Sequence, residues 1–202
     1  MGKPPVPRES PRRLSRDEAR SLVRLVIARY IMRYGKPINS TILSQLLFLA
    51  LYTTRRNNTL VLLRRPRARL PIPFILLGAP YLPLDRLVGN ASGVARTGGG
   101  YSIQDPGNAF KGAYSELAGG GLKDLADYTV RVVDEFGGYG EDSLVELSTG
   151  VLGLSPLIRA MAFNMSLDAF LRARAGLRRV LVSGGYVDEE ELYPELFRGS
   201  GS

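Results

Sequence analysis

Residues 15–54, SRDEARSLVRLVIARYIMRYGKPINSTILSQLLFLALYTT, decide the fold. Ser15 stands three positions before Glu18. That is the spacing of a capping box, in which hydroxyl and carboxylate each satisfy a backbone N–H at a helix start. Behind it Leu22, Val23, Val26, Ile27, Tyr30, Ile31 and Tyr34 recur at helical spacing and form the main apolar face. Leu25, Ala28 and Met32 lie on a second side, so the helix is expected to pack between neighbours. Gly35 ends it. Pro37 and the Asn39–Ser40 pair then open a second helix, and Ile42, Leu43, Leu46, Leu47, Leu49 and Ala50 make it a core element. Two helices joined by a short Gly-containing turn form an α-hairpin or the front of a helix-turn-helix.

Upstream, residues 1–14 (MGKPPVPRESPRRL) hold four prolines and no repeated apolar spacing, which predicts a disordered basic arm. Downstream, Leu60–Leu63 and Phe74–Leu77 read as short strands, with Pro71 and Pro73 confining the second to an edge or an extended segment. Pro83 fits the first turn of a brief helix over 83–90. Gly93–Thr97 and Tyr101–Gln104 read as strands around a Gly98–Gly99–Gly100 tip. Three glycines also suit a phosphate cradle, but no strand–GxxxxGK–helix context surrounds them, and a flexible hairpin tip is the better reading.

From Asn108 onward the pattern is helical. Leu122–Phe136 is one helix, with Gly137 and Gly138 as its stop. A short helix runs from Asp142 or Ser143 to Thr149, another is capped by Ser155 through Asn164, and a longer one is capped by Ser166 and reaches Val182. Gly184–Gly185 breaks it, and an acidic final helix starts near Asp188. The expected fold is mainly α with a small β-hairpin. A disordered basic arm covers 1–14, a winged-helix-like N-terminal half 15–107, a helical C-terminal half 108–197 packed on it, and a tail 198–202.

Composition bounds the function. At 202 residues, 45% hydrophobic and 23% charged, the chain can bury a substantial core. It has no Cys, His or Trp, which excludes disulfides, zinc sites with Cys or His ligands, and thiol or imidazole catalysis. The longest charge-free run, Pro37–Thr54, is 18 residues but carries Asn39, Ser40, Thr41, Ser44, Gln45, Thr53 and Thr54, so no membrane span is expected. The Pro- and Arg-rich start does not read as a signal peptide, and a cytoplasmic protein is the expectation.

Charge is strongly asymmetric. Met1–Leu70 holds 16 basic and three acidic residues, a net of +13, while the remainder holds 11 basic and 16 acidic, a net of −5. Such a one-sided field is the footprint of a polyanion or an acidic protein surface. The basic residues are 23 arginines and only four lysines, and arginine forks bind phosphate bidentately. Arg64, Arg65, Arg67 and Arg69 straddle Pro66 on a turn, with Arg55 and Arg56 just upstream, and no acid lies between Glu18 and Asp85. Solvent, the acidic half or a partner must screen them. With only Tyr52 and Phe74 nearby, stacking on single-stranded bases is disfavoured. Asp124, Asp127, Asp134 and Glu135 share a helix with Arg131, and Asp127–Arg131 reads as an ordinary i,i+4 pair on a solvated face. No catalytic residue, metal ligand or cofactor site is expected.

The order of elements resembles the Panacea antitoxin-domain group and related small prokaryotic winged-helix proteins. RYGKPINSTILSQLLFLALY (33–52) is similar to their opening helix, LLGAPYLPLDRLVGNASGV (76–94) with GGGYSIQD (98–105) to their central block, and VVDEFGGYGEDSLVELSTGVLG (132–153) to a late segment. The resemblance covers roughly residues 29–153. Leu43-Ser44-Gln45-Leu46-Leu47 lacks the lysine usual in that helix, and Gly78-Ala79-Pro80 replaces a Gly-Pro step. The resemblance implies a mostly helical fold with a small winged element, no enzymatic activity, and DNA binding or the neutralising of a partner protein.

Two functions are expected to compete. One is non-enzymatic, mainly backbone-directed binding of double-stranded DNA or another polyanion. There the 83–90 helix would be the recognition element, Gly98–Gly100 the wing, Arg86 and Arg96 would face the duplex, and Arg55, Arg56, Arg64, Arg65, Arg67 and Arg69 would meet phosphates. The other is a protein-binding module of antitoxin or accessory-subunit type whose basic face meets an acidic partner.

Overall fold

The computed structural model describes residues 11–88 and 93–183. Ser15 caps α1 (Arg16–Tyr34): its hydroxyl accepts from Glu18 N at 3.1 Å, and the Glu18 carboxylate accepts from Ser15 N at 2.8 Å. Gly35 closes the helix at φ 67°, donating its N–H to Ile31 O at 2.8 Å. Both expected apolar sides are covered, with Leu25 and Ala28 as deeply buried as Leu22 and Val26. Met32, in the last turn, is the exception at 47% exposed.

Asn39 caps α2 (Ser40–Tyr52), accepting from Ile42 N at 2.7 Å. Every residue from Ile42 to Tyr52 is buried, so α2 is the central rod of the fold. Its two internal polar side chains are used. Gln45 Nε2 donates to Pro80 O at 2.8 Å, and Ser44 Oγ accepts from Leu82 N at 3.3 Å, which holds the 80–82 backbone against the helix.

Among the described residues four two-stranded sheets surround the helices. Arg12–Arg13 (β1) runs parallel to Ala68–Arg69 (β4), an arrangement that replaces part of the expected disordered arm. Leu14 N donates to Arg69 O at 2.8 Å and the Leu14 side chain is buried, which gives this stretch an anchor that its composition hides. Residues 1–10 lie outside the described residues.

Thr53–Arg56 (β2) leaves α2 directly and pairs with Thr59–Leu62 (β3). The two-residue connection, Asn57 (φ 45°) and Asn58 (φ 63°), adopts the left-handed backbone that suits a tight hairpin. The second expected strand shrinks to Ile75–Leu76 (β5), paired with Pro80–Tyr81 (β6) and bridged to Ser166. The helix expected over 83–90 is a single 3-10 turn, Leu84–Arg86, pinned by buried Leu84 and Leu87 at i,i+3. Gly89 and Asn90 are outside the described residues. Val94–Thr97 (β7) and Gly100–Ile103 (β8) form the expected Gly-tipped hairpin, and Tyr101 bridges back to Ile38.

The remaining elements are α3 (Pro106–Gly119, capped by Asp105), α4 (Lys123–Phe136), α5 (Glu141–Val151), α6 (Pro156–Met161) and α7 (Leu167–Ser183). Helices α3 and α4 pack on α1, and α4 and α5 pack on α2, so a single core runs from Leu14 to Phe170. Of the described residues 56% are helical, and no strand among them exceeds four residues. The acidic final helix and the tail lie outside the described residues.

Candidate anion-binding face

The arginines singled out by the sequence separate into two groups. Arg55, Arg56, Arg64, Arg65, Arg67 and Arg69 belong to the β2–β3 hairpin, the loop after it and β4, at the C-terminal end of α2. Arg86 and Arg96 belong to the 3-10 turn and β7, and the Ile38–Tyr101 bridge docks that hairpin at the N-terminal end of α2. A 13-residue helix is about 20 Å long, so the groups lie at opposite ends of the central rod.

Distant acids and rings answer much of the first group's charge. Arg55 pairs with Glu135 of α4. The Arg67 guanidinium stacks 3.8 Å from the centroid of the Tyr128 ring and donates to Thr53 O at 3.3 Å. Arg69 Nε lies 3.9 Å from Asp168 Oδ2, at the start of α7. Arg56 and Arg64 are exposed and have no ion-pair partner among the described residues, and Arg65 is exposed beside them.

In the second group Arg96 Nη1 lies 3.0 Å from Asp85 Oδ1, and Tyr101 OH donates to the same oxygen at 3.2 Å. Burial, and then the neighbouring Asp85 charge, push the Tyr101 hydroxyl up to about 12. Arg86 is exposed.

The expected Asp127–Arg131 pair is replaced. Lys123 Nζ, four residues earlier, reaches Asp127 at 2.6 Å and Tyr114 OH donates to the same carboxylate, while Arg131 leans over the Tyr128 ring at 5.7 Å. The Lys123 ammonium and the Tyr114 hydroxyl hold Asp127 below the usual carboxylate range.

Tyr128, Glu135, Asp168 and Arg13 are the partners that sequence reading missed. Each meets the arginine group across a chain separation of more than 50 residues, so no local spacing announces it.

A second surface is apolar. Helix α6, expected to run to Asn164, stops at Met161 and buries none of its residues. Leu157 (71% exposed), Met161 (75%) and Phe163 (63%) face solvent, and exposed Leu77 lies alongside through the Asn164 N to Leu76 O hydrogen bond at 2.8 Å. Among the described residues no three His, Cys, Asp or Glu side chains gather as a metal site, and no helix is long and apolar enough to cross a membrane. Compared with known proteins, the chain matches no family model, no curated protein and no solved structure.

Proposed function

We propose that this chain is a non-enzymatic nucleic-acid-binding protein that grips double-stranded DNA through the phosphate backbone. The observation that carries the reading is the exposure of Arg56, Arg64 and Arg65 on and after the β2–β3 hairpin, within the Met1–Leu70 segment carrying +13. Guanidinium forks of this kind meet phosphate without reading bases. A short turn followed by the Gly-tipped β7–β8 hairpin, the part of the order that resembles a winged helix, supports a duplex partner. The Leu84–Arg86 turn is too short to offer a groove many side chains, and so favours backbone contact over base readout.

The experiment is a salt series with random-sequence duplex DNA. Four neutralised phosphates give a slope of log K against log salt of about −3.6, and Arg56→Ala, Arg64→Ala and Arg65→Ala together reduce its magnitude by roughly two to three. Equal binding by wild type and triple variant, with an unchanged slope, overturns the reading.

A protein-binding role of antitoxin or accessory-subunit type is the second reading, with the basic face meeting an acidic partner. The α6 surface favours a protein partner in general, not the basic face in particular, since large exposed apolar side chains grouped together mark interaction sites. Leu157→Glu with Met161→Glu would abolish partner capture while leaving the DNA slope unchanged.

A further inference from the structure

Between β1, β4 and the start of α7 lies a cleft of about 280 Å³, lined by Arg13, Arg69, Asp168, Tyr52 and the run Leu70-Pro71-Ile72-Pro73-Phe74. Arg13 and Arg69 are register partners in the parallel β1–β4 pair, so their side chains leave the same face of the ladder. Opposite them stands one carboxylate, Asp168. It is 3.9 Å from Arg69 Nε, too far for a hydrogen bond, and it also accepts weakly from Tyr52 OH at 3.4 Å. Arg69 Nε is sealed from solvent without a hydrogen-bond partner, and Arg13 has no ion-pair partner among the described residues. Among the described residues the cleft therefore carries one positive charge without a counter-charge.

The apolar part of its lining, Leu70 to Phe74, is stiff. Pro71 and Pro73 hold their backbone torsions and contribute no N–H, so the rim is preformed. Phe74 is buried, and its ring meets Tyr52 edge-on with centroids 5.8 Å apart. Burial, joined by the Asp168 charge, raises the Tyr52 hydroxyl well above its ordinary range, so it remains a neutral donor. The volume lies just under the usual ligand-pocket range of about 300–1,000 Å³, which limits the occupant to a small molecule.

We infer that this cleft binds a small organic acid, its carboxylate held by the Arg13 and Arg69 guanidiniums and its apolar body laid against Ile72, Pro73 and Phe74. Arg forks match a carboxylate bidentately. A single negative charge neutralises the site, whereas a phosphate monoester dianion would leave excess negative charge facing Asp168. This goes beyond the DNA reading, because Arg56, Arg64 and Arg65 take no part in the cleft.

The test is calorimetric titration of the whole protein with benzoate and 4-phenylbutyrate, against benzamide and phenyl phosphate. Saturable binding of a carboxylate, absence of benzamide binding and weaker phenyl phosphate binding are expected. Arg13→Ala, at an exposed position, weakens the carboxylate by about tenfold or more. Asp168→Asn, which preserves shape, strengthens carboxylate binding and lets phenyl phosphate compete. No saturable binding by either acid, wild-type affinity in Arg13→Ala, or tighter phenyl phosphate than carboxylate in the wild type each overturns the inference. None of these measurements uses nucleic acid, so failure here is separable from failure of the salt series.

Discussion

The Arg67 guanidinium lies 3.8 Å from the centroid of the Tyr128 ring, joining the loop after the β2–β3 hairpin to the middle of α4. A side chain that sequence reading aims at phosphate thus also serves as a tertiary clasp. Arg67→Ala and Tyr128→Leu should couple by about 0.5–1 kcal/mol in a double-mutant cycle of urea unfolding, the range for an exposed cation–π contact. Additive single-variant losses would show that the stacking contributes nothing.

The Gly98–Gly100 tip is not uniformly free. Gly100 has φ 126°, and a Cβ there would lie 2.2 Å from Ile38 O, whereas a Cβ on Gly99 meets nothing within 4 Å. Gly100→Ala should cost about 2 kcal/mol or more by prising the β7–β8 hairpin off Ile38. Gly99→Ala should stay within about 0.5 kcal/mol. Thermal melts of the two variants make the comparison, and equal melting temperatures would contradict it.

Gly137 has a further task beyond stopping α4. A Cβ there would come 2.7 Å from the Tyr34 ring, whose hydroxyl donates to Val133 O at 3.2 Å. Since φ is an ordinary −62°, the expected loss of about 1–3 kcal/mol in Gly137→Ala is steric. Tyr34→Ala should therefore absorb part of that loss in the double variant, as read by denaturant midpoints.

Alkali should loosen the β7–β8 side. Tyr101 keeps its proton to about 12 in the folded chain, against an ordinary 10.0. Because the folded state holds this proton more tightly, the associated stability is complete below the ordinary tyrosine range. It is lost as pH rises through about 12. Absorbance titration near 295 nm should show Tyr101 lagging the exposed tyrosines, and Tyr101→Phe should flatten the decline in stability across that window.

Much of the scaffold was legible locally. The Ser15–Glu18 box, the Gly35 stop, the Asn39 start and the helical spacing through Leu122–Phe136 each depend on contacts within a few residues, and each forms where expected. Misreadings cluster where local and distant interactions compete. Residues 11–14 look like tail by composition, but Leu14 finds the core and Arg12–Arg13 find β4. The 83–90 segment reads as helical until buried Leu84 and Leu87 pin it as one 3-10 turn. Helix α6 stops early where Met165 O accepts from Leu76 N at 2.9 Å, tying the following chain to β5.

Helical class, helix ends and charge asymmetry can be read from the residues in order, because periodicity, caps and net charge are properties of neighbouring residues or of simple sums. Tertiary structure alone decided which arginines are answered. Glu135, Tyr128 and Asp168 reach Arg55, Arg67 and Arg69 only because α4 and α7 fold back beside the end of α2, and Arg13 joins Arg69 only through a parallel pairing across 56 positions. Coulomb and ring contacts act over a few ångströms, and which charges come that close is set by how the helices pack.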